Sequence, residues 1–125
     1  MKIGFERAKP IYQQIIDRIV ISIANGELPP GSKVGSVRDL AVEFGVNPNT
    51  VQKSLAKLGE MGYLRTERPG GRYVTDNLKF IEAARSRIPA ELVRKFVDEM
   101  LDFGITACEI PEYVNSCIER LENDG

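Results

Sequence analysis

Apolar residues recur every three to four positions over most of this chain, and that spacing predicts helices. Ile11, Ile15, Ile19 and Ile23 make the first stripe, with Pro10 opening the helix and Gly26 stopping it. Tyr12, Ile16, Val20 and Ile21 spread apolar surface well beyond that stripe, so the helix is expected to be covered on more than one side. The following ELPPGSKV is an extended connection, because its two prolines forbid helix and Gly31 supplies a turn. Val37, Leu40, Ala41 and Phe44 form the inner face of a short second helix, with Ser36 as its N-cap and Asp39 three residues on. A third helix carries Val51, Leu55 and Leu58 inward. Asn47 caps it, Pro48 suits its first position and Gly62 ends it.

Between the second and third helices lies Gly45-Val46-Asn47. The glycine permits a left-handed turn, small Ala41 allows close helix approach, and Val46 plugs the corner. That conjunction predicts a helix-turn-helix. The outward face of the third helix then holds Asn49, Lys53, Ala56 and Lys57, with Thr50 and Gln52 at its edges. Amides suit adenine edges in a major groove and lysines suit guanine or phosphate, although an ordinary solvated helix can show the same face. YLRTE and RYVT are two short β-prone runs separated by Arg68-Pro69-Gly70-Gly71, which predicts a hairpin. Directly after a recognition helix such a hairpin is a wing. Arg68 and Arg72 beside bare Gly70 and Gly71 can then lie along a sugar-phosphate backbone, the alternative being a structural hairpin with solvated arginines.

The remainder, residues 76–125, is helical by pattern. Asp76 can cap a helix holding Leu78, Ile81, Ala84 and Ile88, and Pro89 opens another that Gly104 closes after Phe103. The apolar residues of this second stretch fall on two arcs, Leu92, Phe96, Met100 and Phe103 on one and Val93, Val97 and Leu101 on the other. One arc can face its own chain and the other a partner. A last helix carries Ile110, Val114, Cys117, Ile118 and Leu121, starting either at Thr106, which can form a capping box with Glu109, or at Pro111. The fold class is therefore mainly α with a small hairpin wing. Residues 1–75 form a winged helix-turn-helix domain, and residues 76–125 a short helical dimerisation region that is also a possible effector region.

Charge follows the same division. The whole chain carries -1, but residues 1–75 hold 11 Lys and Arg against 7 Asp and Glu, whereas residues 76–125 hold 6 against 11. The basic half is the half with the reading helix. Cys108 and Cys117 come with no histidine anywhere, so neither a zinc site nor a disulfide framework is supported. They are expected to be small apolar packers, with a redox pair as the alternative. No apolar run approaches the ~18 residues of a membrane span, and MKIGFERAK has no signal-peptide core, so a cytoplasmic protein is expected.

PIYQQI, ELPPG, SVRDLA, GVNPNTV and GGRYV together make residues 10–76 resemble the N-terminal domain of the GntR family of bacterial transcription regulators. NPNTVQK and the short tail are most similar to its YtrA-type branch. The resemblance implies a winged helix-turn-helix that binds an operator as a homodimer, usually as a repressor released by a small molecule. By position, Arg38 matches the family arginine that contacts DNA from the second helix. Pro48 and Gln52 stand where many relatives have arginines, so the base contacts that those arginines imply do not carry over. Gly35 stands where proline is common, and Arg72 and Tyr73 where Thr and Phe are common.

The expected DNA-facing set is Ser36, Arg38, Asn47, Asn49, Thr50, Gln52, Lys53, Lys57, Arg68, Gly70, Gly71 and Arg72. The expected dimer surface is Ile16, Val20, Leu92, Val93, Phe96, Val97, Met100 and Leu101. An enzyme is not indicated: there is no histidine, no phosphate-binding glycine loop and no carboxylate pair in a plausible cleft, and no cofactor or metal is implied. The rival is a winged-helix module that binds protein. Cationic residues, where such a module would more often expose aromatics, favour double-stranded DNA. A pocket for an effector commonly needs ~300 Å³ or more, so one is expected between tail and winged domain or between subunits.

Overall fold

Helix α1 spans Ile11–Ala24, α2 Val37–Phe44 and α3 Pro48–Met61, followed by strands β1, Leu64–Glu67, and β2, Gly71–Val74. Helices α4, Leu78–Phe103, and α5, Ile110–Asp124, complete the chain. The structure is a computed structural model and describes residues 1, 3–67 and 70–125. It divides into two units, Met1–Arg85 and Ser86–Gly125.

The first unit is built on α1. Ile15, Ile19 and Ile23 are buried as the stripe requires, against Leu40, Ala41 and Phe44 of α2 and Val51, Leu55 and Leu58 of α3. Each of these side chains except the small Ala41 contributes ~1.5–3 kcal/mol by leaving water. Ile11 is 46 % exposed, so the stripe begins one turn later than its spacing suggests. Ile16 is a correction: it is 1 % exposed, enclosed by its own unit, and supplies no surface for a partner. Val20 is half-buried.

The turn between α2 and α3 closes by two backbone hydrogen bonds. Gly45 N–H donates to the Val42 carbonyl and Val46 N–H to that of Ala41, with Gly45 at φ +69°. A side chain there would be strained, so glycine fixes how sharply α3 leaves α2. β1 and β2 pair antiparallel, Leu64 facing Val74 and Glu67 facing Gly71. The ELPPGSKV connection adds a third line of pairing, with an isolated bridge between Lys33 and Tyr73.

At α4 the sequence reading needs two corrections. The helix is capped by Asn77, whose side-chain oxygen accepts from Phe80 N–H at 3.1 Å, while Asp76 pairs with Arg65 at 3.0 Å. Nor does Pro89 start a new helix, for it lies inside one continuous α4. Proline removes a single i to i−4 bond, here to the carbonyl of exposed Arg85, which water can reach. The boundary also moves. Phe80 packs edge-on against Tyr63 with ring centres 4.8 Å apart, and Ile81 and Ala84 are buried, so the winged unit runs past Thr75 to Arg85.

In the second unit α4 ends where expected, Gly104 and Ile105 N–H closing on Leu101 and Met100 carbonyls. The Thr106 N–H and hydroxyl both donate to the Glu109 carboxylate, at 3.1 and 2.7 Å, which holds Glu109 below the usual carboxylate range. That turn leads into α5, which begins at Ile110 with Pro111 in its first turn. Cys108 and Cys117 are exposed, not packed as expected, because α5 buries only Ile110. Phe96 and Met100 of α4 line an open apolar groove of about 410 Å³ with Tyr113, Val114, Cys117 and Ile118. Leu92 and Val93 are 60 % exposed and Leu101 47 %, while Val97 is half-buried. Among the described residues no helix is long and apolar enough to cross a membrane.

Candidate nucleic-acid interface

Two capping side chains set the geometry of the reading end. Asn47 Oδ1 accepts from Asn49 N–H at 2.8 Å and Ser36 Oγ from Asp39 N–H at 3.0 Å, so each satisfies a donor that its helix cannot. Each oxygen thus commits one of its two acceptor positions to its helix, while the Asn47 amide and Ser36 hydroxyl hydrogens stay available to a ligand. Asn49, Gln52, Lys53, Ala56 and Lys57 are exposed on α3, and Thr50 is half-buried. Opposite them Val51, Leu55 and Leu58 are sealed in the core.

One polar residue on the inner face ties α3 to α1. Ser54, fully buried, has a single hydroxyl hydrogen to share between the carbonyls of Tyr12 at 2.9 Å and Thr50 at 3.0 Å. The same contact of helices brings the Tyr12 ring beneath Lys53, whose ammonium is 3.8 Å from the ring centre. Tyr12 therefore positions a cation on the outward face of α3, a role its apolar spacing does not reveal. A shallow cleft of about 380 Å³ lies there, lined by Ile11, Tyr12, Asn49, Thr50 and Lys53. Lys57 pairs with Glu60 at 3.5 Å, both ends well exposed, a weak contact that water screens.

Arg38 is exposed near the start of α2. The wing brings Gly70, Gly71 and half-buried Arg72 beside Ser36, the two sides enclosing a cleft of about 350 Å³. Arg68 lies outside the described residues. Among the described residues no three His, Cys, Asp or Glu side chains gather to hold a metal ion.

A three-helix core whose second and third helices form a helix-turn-helix, followed by a hairpin wing, defines the winged helix-turn-helix class of DNA-binding fold. The model of the bacterial regulatory proteins of the gntR family matches residues 11–74, and the chain belongs to that family. It is 32 % identical over 115 residues to the helix-turn-helix-type transcriptional regulator YhcF of Bacillus subtilis, covering 92 % of this chain and 95 % of that one. It is 36 % identical over 91 residues to the transcriptional repressor YtrA of the same organism, covering 71 % and 70 %, which supports the YtrA-type branch. A GntR family transcriptional regulator from Listeria monocytogenes has a similar structure, with TM-score 0.81, 37 % identity and coverage of 90 % and 98 %. The chain is thus a DNA-binding transcription regulator and not an enzyme.

Proposed function

We propose that this chain is a homodimeric repressor that binds a palindromic operator, reading bases with α3 and holding the backbone with α2 and the wing. The observation that carries the reading is the outward face of α3, where Asn49, Gln52, Lys53 and Lys57 stand exposed over a sealed apolar back. Ser36, Arg38, Asn47, Thr50, Gly70, Gly71 and Arg72 complete the proposed surface, to which the sequence also assigns Arg68. Repression is favoured by the likeness to YtrA, itself named a repressor. The chromosome such a regulator serves lies in the bacterial cytoplasm, and there it acts.

A palindrome needs two winged units about one DNA turn apart, ~34–36 Å. The exposed Leu92, Val93 and Leu101 of the second unit, with half-buried Val97, support pairing there. Release by a small-molecule effector is favoured by the open apolar groove of about 410 Å³ beside Phe96 and Met100, which lies within the second unit and not between tail and winged domain or between subunits as the sequence suggests.

Selection from random duplexes with the full chain, followed by binding to the winner at several salt concentrations, tests this. The expected winner is palindromic, and log K falls by ~0.9 per log unit of salt for each phosphate contacted. No enriched sequence and a flat salt response would replace the reading with a protein-binding winged helix.

A further inference from the structure

We infer that Lys33, in the extended connection between α1 and α2, grips a backbone phosphate of duplex DNA in the cleft between the wing and the start of α2. The inference rests on the DNA-binding reading above and adds a fourth element, the connection between α1 and α2, to the DNA surface.

The connection is held against the wing by its backbone. Val34 N–H donates to the Arg72 carbonyl at 2.9 Å, and Val74 N–H to that of Ser32 at 2.9 Å, so Lys33 lies opposite Tyr73. Alternation along the strand sends Val34 into the core, 2 % exposed, and leaves Lys33 exposed on the other face. Gly71 is two residues from Tyr73 and so shares the face of Lys33. A Cβ at Gly71 would come 3.7 Å from Lys33 Cε, so the lysine stem runs beside the bare glycine toward the wing tip. Lys33, Ser36, Gly70, Gly71 and Arg72 all line the cleft of about 350 Å³.

Charge separates Lys33 from its neighbour on the sheet. Arg65 also faces Tyr73, but its guanidinium pairs with Glu67 and Asp76. No carboxylate among the described residues pairs with Lys33, so its full charge is available to an anion. The wing tip offers backbone and no side chain at Gly70 and Gly71, which lets a sugar-phosphate chain come close to the ammonium. A lysine on a flexible stem recognises phosphate as a point charge and carries little sequence information.

The test uses the full chain, its selected duplex and a scrambled duplex, with Lys33→Gln and Lys33→Arg. One phosphate contact corresponds to about eightfold in affinity at ~0.1 M salt, from a slope of ~0.9. Lys33→Gln is expected to lower affinity for both duplexes by about that factor and to flatten the salt slope by ~0.9, and Lys33→Arg to restore the slope. Melting curves matching the wild type exclude misfolding, which an exposed position should not cause. Unchanged affinity and slope in Lys33→Gln overturn the inference and leave the DNA reading standing. A loss confined to the selected duplex overturns it too, by making Lys33 a base reader. A wild-type chain that binds neither duplex overturns both.

Discussion

The Lys53 ammonium lies 3.8 Å from the centre of the Tyr12 ring, so the first helix sets where a cation of the reading helix stands. An exposed cation-π contact is worth ~0.5–1 kcal/mol, about twofold to fivefold in a binding constant if the free lysine must be ordered again on DNA. Tyr12→Leu keeps the apolar bulk and removes the ring. Operator affinity should fall by about that factor, and the change should have no effect when Lys53 is already alanine. A double-mutant cycle by gel shift measures it. Additive losses would mean that the ring acts elsewhere.

Asn49 and Gln52 should supply the base discrimination of α3, whereas Arg38 should supply affinity. A bidentate amide contact distinguishes bases by ~1–3 kcal/mol, and a lost phosphate contact weakens every sequence alike. Asn47 should behave differently from both, because its side-chain oxygen already caps α3. Asn47→Ala is expected to cost ~1 kcal/mol of stability with little change in sequence preference. Binding of the variants to single-base operator variants, beside their thermal midpoints, separates the three roles. Relaxed specificity in Arg38→Ala would reverse the assignment.

Where the chain is cut matters. Ending it after Thr75 discards Phe80, Ile81 and Ala84, which the winged unit buries or packs, and should destabilise that unit by ~1.5–3 kcal/mol through Ile81 alone. A chain ending after Arg85 keeps them and should be a folded monomer whose operator affinity is lower by orders of magnitude, since the second half-site contact loses its effective concentration. Val97→Glu in the full chain should have the same effect on assembly. Sedimentation with gel shift decides: a dimeric 1–85 chain with intact affinity would move the interface out of the second unit.

The turn before α5 should respond to acid. Thr106 donates two hydrogen bonds to Glu109, which lowers its pKa from the ordinary 4.5. A carboxylate with a depressed folded value stabilises the fold above the unfolded value, and that contribution is lost as pH falls through the folded one. Wild type should therefore exceed Glu109→Gln in thermal midpoint at pH 7, and the gap should shrink as pH falls below the ordinary 4.5 and through the lowered folded value. A gap that does not narrow with acid would assign the effect to something other than the charge.

Local signals carry most of the fold. Gly45, Asn47, Pro48 and Gly62 each mark a helix end through backbone chemistry that needs no distant partner, and all four lie where the sequence puts them. The errors arise where tertiary contact decides. Pro89 is a good helix opener by local rules, yet α4 continues through it along an exposed stretch. Ile16 reads as surplus apolar surface because nothing local says how much of α1 its neighbours cover. The outward residues of α3 are legible from periodicity, but Tyr12 beneath Lys53 and Lys33 beside the wing are not, for each depends on elements brought together by folding.

Ser54 locks the back of α3 to the Tyr12 carbonyl, while Asn49, Gln52 and Lys57 take no part in the core. On the proposed reading, recognition and folding are therefore separable traits of one helix. A gene duplicate can drift at those outward positions, and acquire a different operator, without a compensating change behind them. The scaffold ages slowly and its vocabulary quickly.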